Sequence, residues 1–261
     1  MTTPPNLPEI PPSPPEPVPP SSENPPWTLW DVAILGAVTL AVLGILLFMA
    51  VGVARHYSPG VSAELLLKSA KVIIPAQVAG YVLVLLCMVA LVRVRGLRFW
   101  KGIGWFWPDK WYLPLALGLA LSISIQLLSV LLPIPKQLPI EEMFSDTLGV
   151  YLLAIFGVTV APLMEELFFR GLLYPALARR VGIVASVIVT SLLFTSVHAS
   201  QLARAWAPLL LLFTVALALT ITRVRTRSVA SSFLVHVGYN FGLFTALFIA
   251  TSGFRNLENM R

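Results

Sequence analysis

The sequence predicts an all-α, polytopic membrane protein of about seven transmembrane helices, preceded by a disordered proline-rich tail. Three observations carry that expectation. Of the 261 residues, 57% are hydrophobic and only 11% are charged, with a mean hydropathy of +0.84, so nearly every segment is too apolar to rest in water. Seven apolar stretches follow one another, each near the ~20 residues that a bilayer core demands of a helix. The first 26 residues differ from all the rest, with 12 prolines and no Lys or Arg. The basic balance, net +6 with a pI of 9.8, would suit nucleic acid if it lay on one face. It lies between the apolar runs instead, so topology accounts for it and no nucleic-acid partner is expected.

The tail, "MTTPPNLPEIPPSPPEPVPPSSENPP" (1–26), has neither the basic start nor the apolar centre of a signal peptide. It cannot bury apolar surface, so an extended, polyproline-like chain is expected, with recognition by a proline-reading module as the sharper alternative. The apolar stretches place helices near 30–53, 73–92, 112–133, 148–168, 182–199, 206–222 and 229–251. Between the second and third lies "RGLRFWKGIGWFWPDKW" (95–111), whose tryptophans and cations both favour the headgroup zone and read as an interfacial loop or half-helix. The chain divides into the tail, a first helical part over 27–144, a second over 145–253 and a short end over 254–261, without internal repeat or soluble domain. Cys87 in "VLLCMVAL" is the single cysteine, which rules out an intramolecular disulfide and reads as a packing residue.

Basic residues are held on the cytoplasmic side of a membrane. Arg93, Arg95, Arg98, Lys101 and Lys110 follow the second helix, Arg179 and Arg180 the fourth, and Arg223, Arg225 and Arg227 the sixth. The intervening loops hold Arg55, Lys68, Lys71, Lys136 and Arg204 with an acidic stretch from Glu141 to Asp146. An integral protein of a prokaryotic-type cytoplasmic membrane is expected, with its N-terminus cytoplasmic and its C-terminus outside.

Ionisable groups inside hydrocarbon cost ~2.5–3.5 kcal/mol each on insertion scales, so each is a functional candidate. Glu165, Glu166 and Arg170 lie on the fourth helix, His198 on the fifth, and His236 with Asn240 on the seventh. Glu166 and Arg170 are four apart, share a face and can pair, whereas Glu165 is turned ~100° away and is free to face a cavity. His236 and Asn240, like Phe194 and His198, are also four apart. Glu165 and His198 flank the basic turn near residue 181 at similar separations, so an antiparallel hairpin brings them level ~25 Å from that turn, provided the fourth helix continues past Arg170. His236 and Asn240 lie ~14–20 Å from Arg227, so one shared depth nearer the cytoplasm is open to all. Each has a plainer reading alone: a histidine bonding a neighbouring carbonyl, an asparagine holding helices together, a structural ion pair. Glu141 and Glu142, beside Asp146 and Lys136, read as solvated surface.

No serine or cysteine stands in a recognisable nucleophile motif. A carboxylate with histidines points to activated water, and His236 with Asn240 could donate to an oxyanion. "EELFFR" (Glu165, Glu166, Arg170), "FTSVH" (Phe194, His198) and "HVGYN" (His236, Asn240) resemble, in order and spacing, the motifs of the CAAX protease and bacteriocin-processing (CPBP, or Abi) family of intramembrane endopeptidases, which includes the type II CAAX prenyl endopeptidases. The resemblance covers about residues 145–250. It implies a catalytic core over 145–253 in which Glu165 and His198 activate water, His236 and Asn240 form the oxyanion site, and Glu166, Arg170 and Phe194 support them. It implies membrane lipid and membrane-associated protein or peptide substrates as partners. No cofactor is expected; the alternative is zinc on Glu165, His198 and His236, disfavoured because the histidines lack the paired spacing of H-E-x-x-H. Two competing readings are a proton-coupled transporter, which would be expected to show inverted repeats or broken helices, and a non-catalytic binding or immunity protein of the same family.

Overall fold

A computed structural model describes residues 21–144 and 146–257; most of the proline-rich tail and the last four residues lie outside the described part. Among the described residues every regular element is helical. Six helices are long and apolar enough to cross a membrane, and a seventh apolar helix is shorter. The chain runs α1 (Leu29–Tyr57), α2 (Ala63–Leu66), α3 (Ala70–Val94), α4 (Phe99–Gly102) and α5 (Tyr112–Ser129), then a 3₁₀ turn at Pro139–Met143. There follow α6 (Thr147–Val158), α7 (Val160–Glu166), a π-helical segment (Leu167–Leu173), α8 (Tyr174–Val181), α9 (Ile183–Val197), α10 (Trp206–Thr226) and α11 (Val229–Ala250). α9, at 15 residues, rises only ~22 Å, short of the ~30 Å of hydrocarbon a full crossing spans.

The fourth expected helix differs most from its sequence outline, because its span extends from Thr147 to Val181, past Arg170, and is interrupted twice, each time beside a proline. A proline cannot donate to the carbonyl four residues back, and its ring presses on it. Pro162 has its break at Val158 to Val160, where Thr159 separates α6 from α7 with φ −120 and ψ −68. Pro175 follows the widened π turn of Leu167–Leu173, which carries Arg170. The carbonyl of Leu172 in that turn accepts a hydrogen bond from the indole Nε1 of Trp27 at 3.1 Å.

Contacts at the helix ends sort the loops into two groups. At one end Arg179 donates to the carbonyls of Pro25 and Trp27, Arg223 pairs with Glu23 at 2.7 Å, Arg95 with Asp31 at 2.6 Å, and Val229 N–H donates to Gly104. At the other end Lys68 meets Glu142 at 3.2 Å, Lys71 meets Asp146 at 3.0 Å, Ile140 N–H donates to Gln201, and Thr147 donates to the Phe254 carbonyl. The three basic loops after the second, fourth and sixth helices therefore share one end with residues 21–28. The Glu141–Glu142 stretch joins the opposite end.

α5 and α11 approach through small residues. A Cβ on Gly118 would run into the Val235 carbonyl, one on Gly238 would stand 3.2 Å from Gly118 Cα, and one on Gly242 would lie 2.6 Å from Ser122 Oγ. Small residues four apart on both helices thus let the backbones touch, the usual means of tight helix pairing in a membrane. α11 carries His236, so this contact fixes its position. The main buried cluster, with Trp27, Val84, Met88, Leu167, Leu172 and Phe194, joins α1 and α3 to the π turn and α9. Cys87 corrects the packing reading: it is exposed on α3 rather than packed inside the bundle.

Candidate active site

Glu166 and Arg170 form the base of the site. Both are fully buried, and Arg170 Nη1 donates to Glu166 Oε1 at 2.9 Å. Two further donors of the same guanidinium reach α10, Nε to Thr220 Oγ1 at 3.3 Å and Nη2 to the Ala216 carbonyl at 3.0 Å. The Phe194 ring, also buried, lies with its centroid 4.6 Å from the guanidinium carbon. That ring also stands 4.8 Å from the His198 ring and edge-on to His236 at 5.9 Å. Phe194 therefore spaces the cation and both imidazoles.

The histidines are oriented through Nδ1. His198 Nδ1 lies 2.8 Å from the Phe194 carbonyl, and His236 Nδ1 lies 2.9 Å from Glu166 Oε1. A carbonyl only accepts, and Glu166 is already an acceptor for Arg170, so both Nδ1 atoms must carry the hydrogen. In each neutral ring the lone pair then sits on Nε2. Those two atoms face one carboxylate: His198 Nε2 is 3.7 Å from Glu165 Oε1, and His236 Nε2 is 3.7 Å from Glu165 Oε2. At that separation no direct hydrogen bond exists. Glu165 keeps 19% of its side-chain surface open, in a cavity of about 340 Å³ lined by α1, α3, the fourth helix and the end of α9.

Six of the seven sequence-predicted residues, Glu165, Glu166, Arg170, Phe194, His198 and His236, are thus gathered into one contact network. Asn240 is directed elsewhere. Its Nδ2 donates to the Gly157 carbonyl at 2.6 Å, tying α11 to the end of α6 just before the Thr159 break. One of its two N–H bonds is therefore committed. The larger hollow of about 750 Å³ beside Arg93, Arg98 and Lys101 holds no carboxylate or histidine.

Several contributors escaped the sequence reading. Thr220 and Ala216 could not be foreseen, since one acts through a common hydroxyl and the other through its backbone. Tyr81, on α3, lines the cavity with Glu165 and His198, and only its polar hydroxyl within an apolar helix could have marked it. The α5–α11 contact did leave a signal, "GLALS" (118–122) facing "GYNFG" (238–242).

Zinc needs ligand atoms that converge on one point at ~2.0–2.2 Å. Here the two imidazoles address opposite oxygens of Glu165, and no group of three His, Cys, Asp or Glu side chains among the described residues is arranged to hold a metal ion.

Residues 147–242 match the family described as type II CAAX prenyl endopeptidase Rce1-like. No curated protein and no solved structure is significantly similar to the chain.

Proposed function

From that match we propose that this chain is an intramembrane endopeptidase that hydrolyses peptide bonds of membrane-associated proteins or peptides with water activated by Glu165. The family supports endopeptidase activity in the membrane; the mechanism rests on the geometry. The observation that carries it is the facing of two Nε2 lone pairs, each 3.7 Å away, toward the two oxygens of one carboxylate. Acceptors set apart in this way call for a donor among them. A water molecule supplies two.

A water between Glu165 and His198 would donate one hydrogen to the carboxylate and the other to Nε2, leaving an oxygen lone pair for the scissile carbonyl carbon. As the carbon–oxygen bond forms, one water proton passes to Glu165 and negative charge collects on the former carbonyl oxygen. Collapse breaks the carbon–nitrogen bond, the leaving nitrogen takes the proton from Glu165, and a carboxylic acid and an amine are released. Asn240 keeps one N–H for the oxyanion, and His236 can donate to it only as an imidazolium. Glu166, held by Arg170, fixes His236; Phe194 fixes His198 through its carbonyl and both rings through packing. No metal is required in this scheme.

The cavity wall contributed by Gly36, Leu40, Leu43, Val84, Met88 and Phe168 is apolar, with Glu165 and His198 at its polar end. An apolar chain can lie against the wall while a peptide bond reaches the carboxylate. The test is reconstitution of the full chain in liposomes with membrane-anchored peptides, with and without a prenylated C-terminus, followed by mass spectrometry of the products. New termini from either peptide set support the reading. Absence of cleavage, together with proton flux across the liposomes, would replace it with a transporter. In the same assay, thorough chelation should leave the rate unchanged; loss on chelation and recovery with zinc would overturn the metal-free mechanism.

A further inference from the structure

The hydrogen bonds around Glu165 leave the proposed reaction short of donors for its oxyanion. His236 uses its only neutral-state N–H on Glu166, His198 uses its own on the Phe194 carbonyl, and Asn240 has one N–H on Gly157. Oxyanion sites ordinarily aim preorganised donors at the developing charge. One remaining amide hydrogen is a meagre supply.

The same cavity holds a polar group with no such commitment. Tyr81 lies half-buried on α3, and its hydroxyl has no hydrogen bond to any described residue. Its ring is stacked on Phe156 of α6, centroids 5.8 Å apart and planes 14° from parallel. Phe156 directly precedes Gly157, the acceptor of the Asn240 bond, so Tyr81 and Asn240 are both fastened to the same turn of α6. Tyr81 shares the cavity lining with Glu165 and His198. Thr39, another hydroxyl of the lining, is already donating to the Leu35 carbonyl at 2.8 Å. Gln201 is exposed on the turn after α9 and lacks any stacked support.

We propose that the Tyr81 hydroxyl is a catalytic hydrogen-bond donor that, with the free N–H of Asn240, receives the substrate carbonyl oxygen as it becomes an oxyanion. The phenol suits this task, being rigid through its stacking, neutral at working pH and free of a competing acceptor. The inference rests on the endopeptidase reading above.

The test compares wild type, Tyr81→Phe and Glu165→Gln in the full chain, on one membrane peptide. Tyr81→Phe keeps the ring on Phe156 and should leave the melting temperature unchanged, while kcat falls by roughly 10²-fold or more with little change in KM. A peptide phosphonate, whose anionic oxygen stands where the oxyanion forms, should bind Tyr81→Phe at least ~10-fold more weakly, whereas the product peptide binds equally well. Wild-type kcat in Tyr81→Phe, or equal weakening of phosphonate and product, would overturn the assignment while leaving the Glu165 mechanism intact. If the variant also melts earlier, the ratio of phosphonate to product affinity still decides. A wild-type protein that cleaves nothing would remove both.

Discussion

Arg170 shows how much of this site is decided by single residues. Its charge is fully enclosed, and one carboxylate, one hydroxyl, one carbonyl and one aromatic face surround it. Removing one partner of a buried ion pair strands the other, at ~3–5 kcal/mol. Glu166→Gln should therefore lower stability on that scale and lower activity too, because His236 loses a charged anchor. Glu166→Gln combined with Arg170→Gln should regain part of the stability, since no charge is left alone. Thermal unfolding of the three purified proteins checks this; a double variant less stable than Glu166→Gln would contradict it. The four-residue spacing made this pair legible in the sequence, and the ~100° step between Glu165 and Glu166 made their different surroundings legible as well. The second bond of each histidine was not legible, because a backbone carbonyl and a tautomer leave no mark in a residue pattern.

Among the elements, the α5–α11 contact and the twice-broken fourth helix matter most. Gly118→Ala would drive a methyl group into the Val235 carbonyl, and that overlap is with backbone, which cannot rotate aside. Destabilisation of at least the ~1–3 kcal/mol of ordinary overpacking is expected, together with lost cleavage as α11 shifts His236. Unchanged melting and activity in Gly118→Ala would show that the helices do not touch there. At the start of α6, Asp146 accepts from the Gly149 N–H at 3.0 Å and faces Lys71 at 3.0 Å. The Gly149 N–H first, and then Lys71, hold its carboxyl below the ordinary value of 3.8. A group whose pKa falls on folding adds stability above its unfolded value and loses it as pH drops through the folded one. Melting temperature should thus decline as pH falls below about 4, and Asp146→Asn should flatten part of that decline. An unaltered pH profile in the variant would refute the contribution. The helices themselves were readable from apolar length, but the π turn was not. Pro175 lies just beyond that turn and removes a backbone donor, and Trp27, Phe194 and α10 all contact the turn.

Across the whole molecule, charge sorting and contacts agree on which loops lie together. Residues 21–28, Arg95, Arg179 and Arg223 meet at one end, whereas Lys68, Lys71, Glu142 and Phe254 mark the other. This grouping was legible because basic residues recur at alternate loops. We expect the tail and the Arg179 turn to be cytoplasmic and the C-terminus external. Single-cysteine labelling in a Cys87→Ser background should modify a tail cysteine and one near Arg255 from opposite sides; labelling from the same side would refute the arrangement. What no helix pattern could reveal is the cavity, which needs α1 and α3 to meet the fourth helix and α9 across most of the chain. The central claim, that Glu165 activates the water, is tested most directly by cleavage of one membrane peptide by wild type and Glu165→Gln, with melting curves for both. The account predicts unchanged melting and a rate lower by at least the ~10²–10⁴-fold typical of losing a general base. Full cleavage by a folded Glu165→Gln would contradict it.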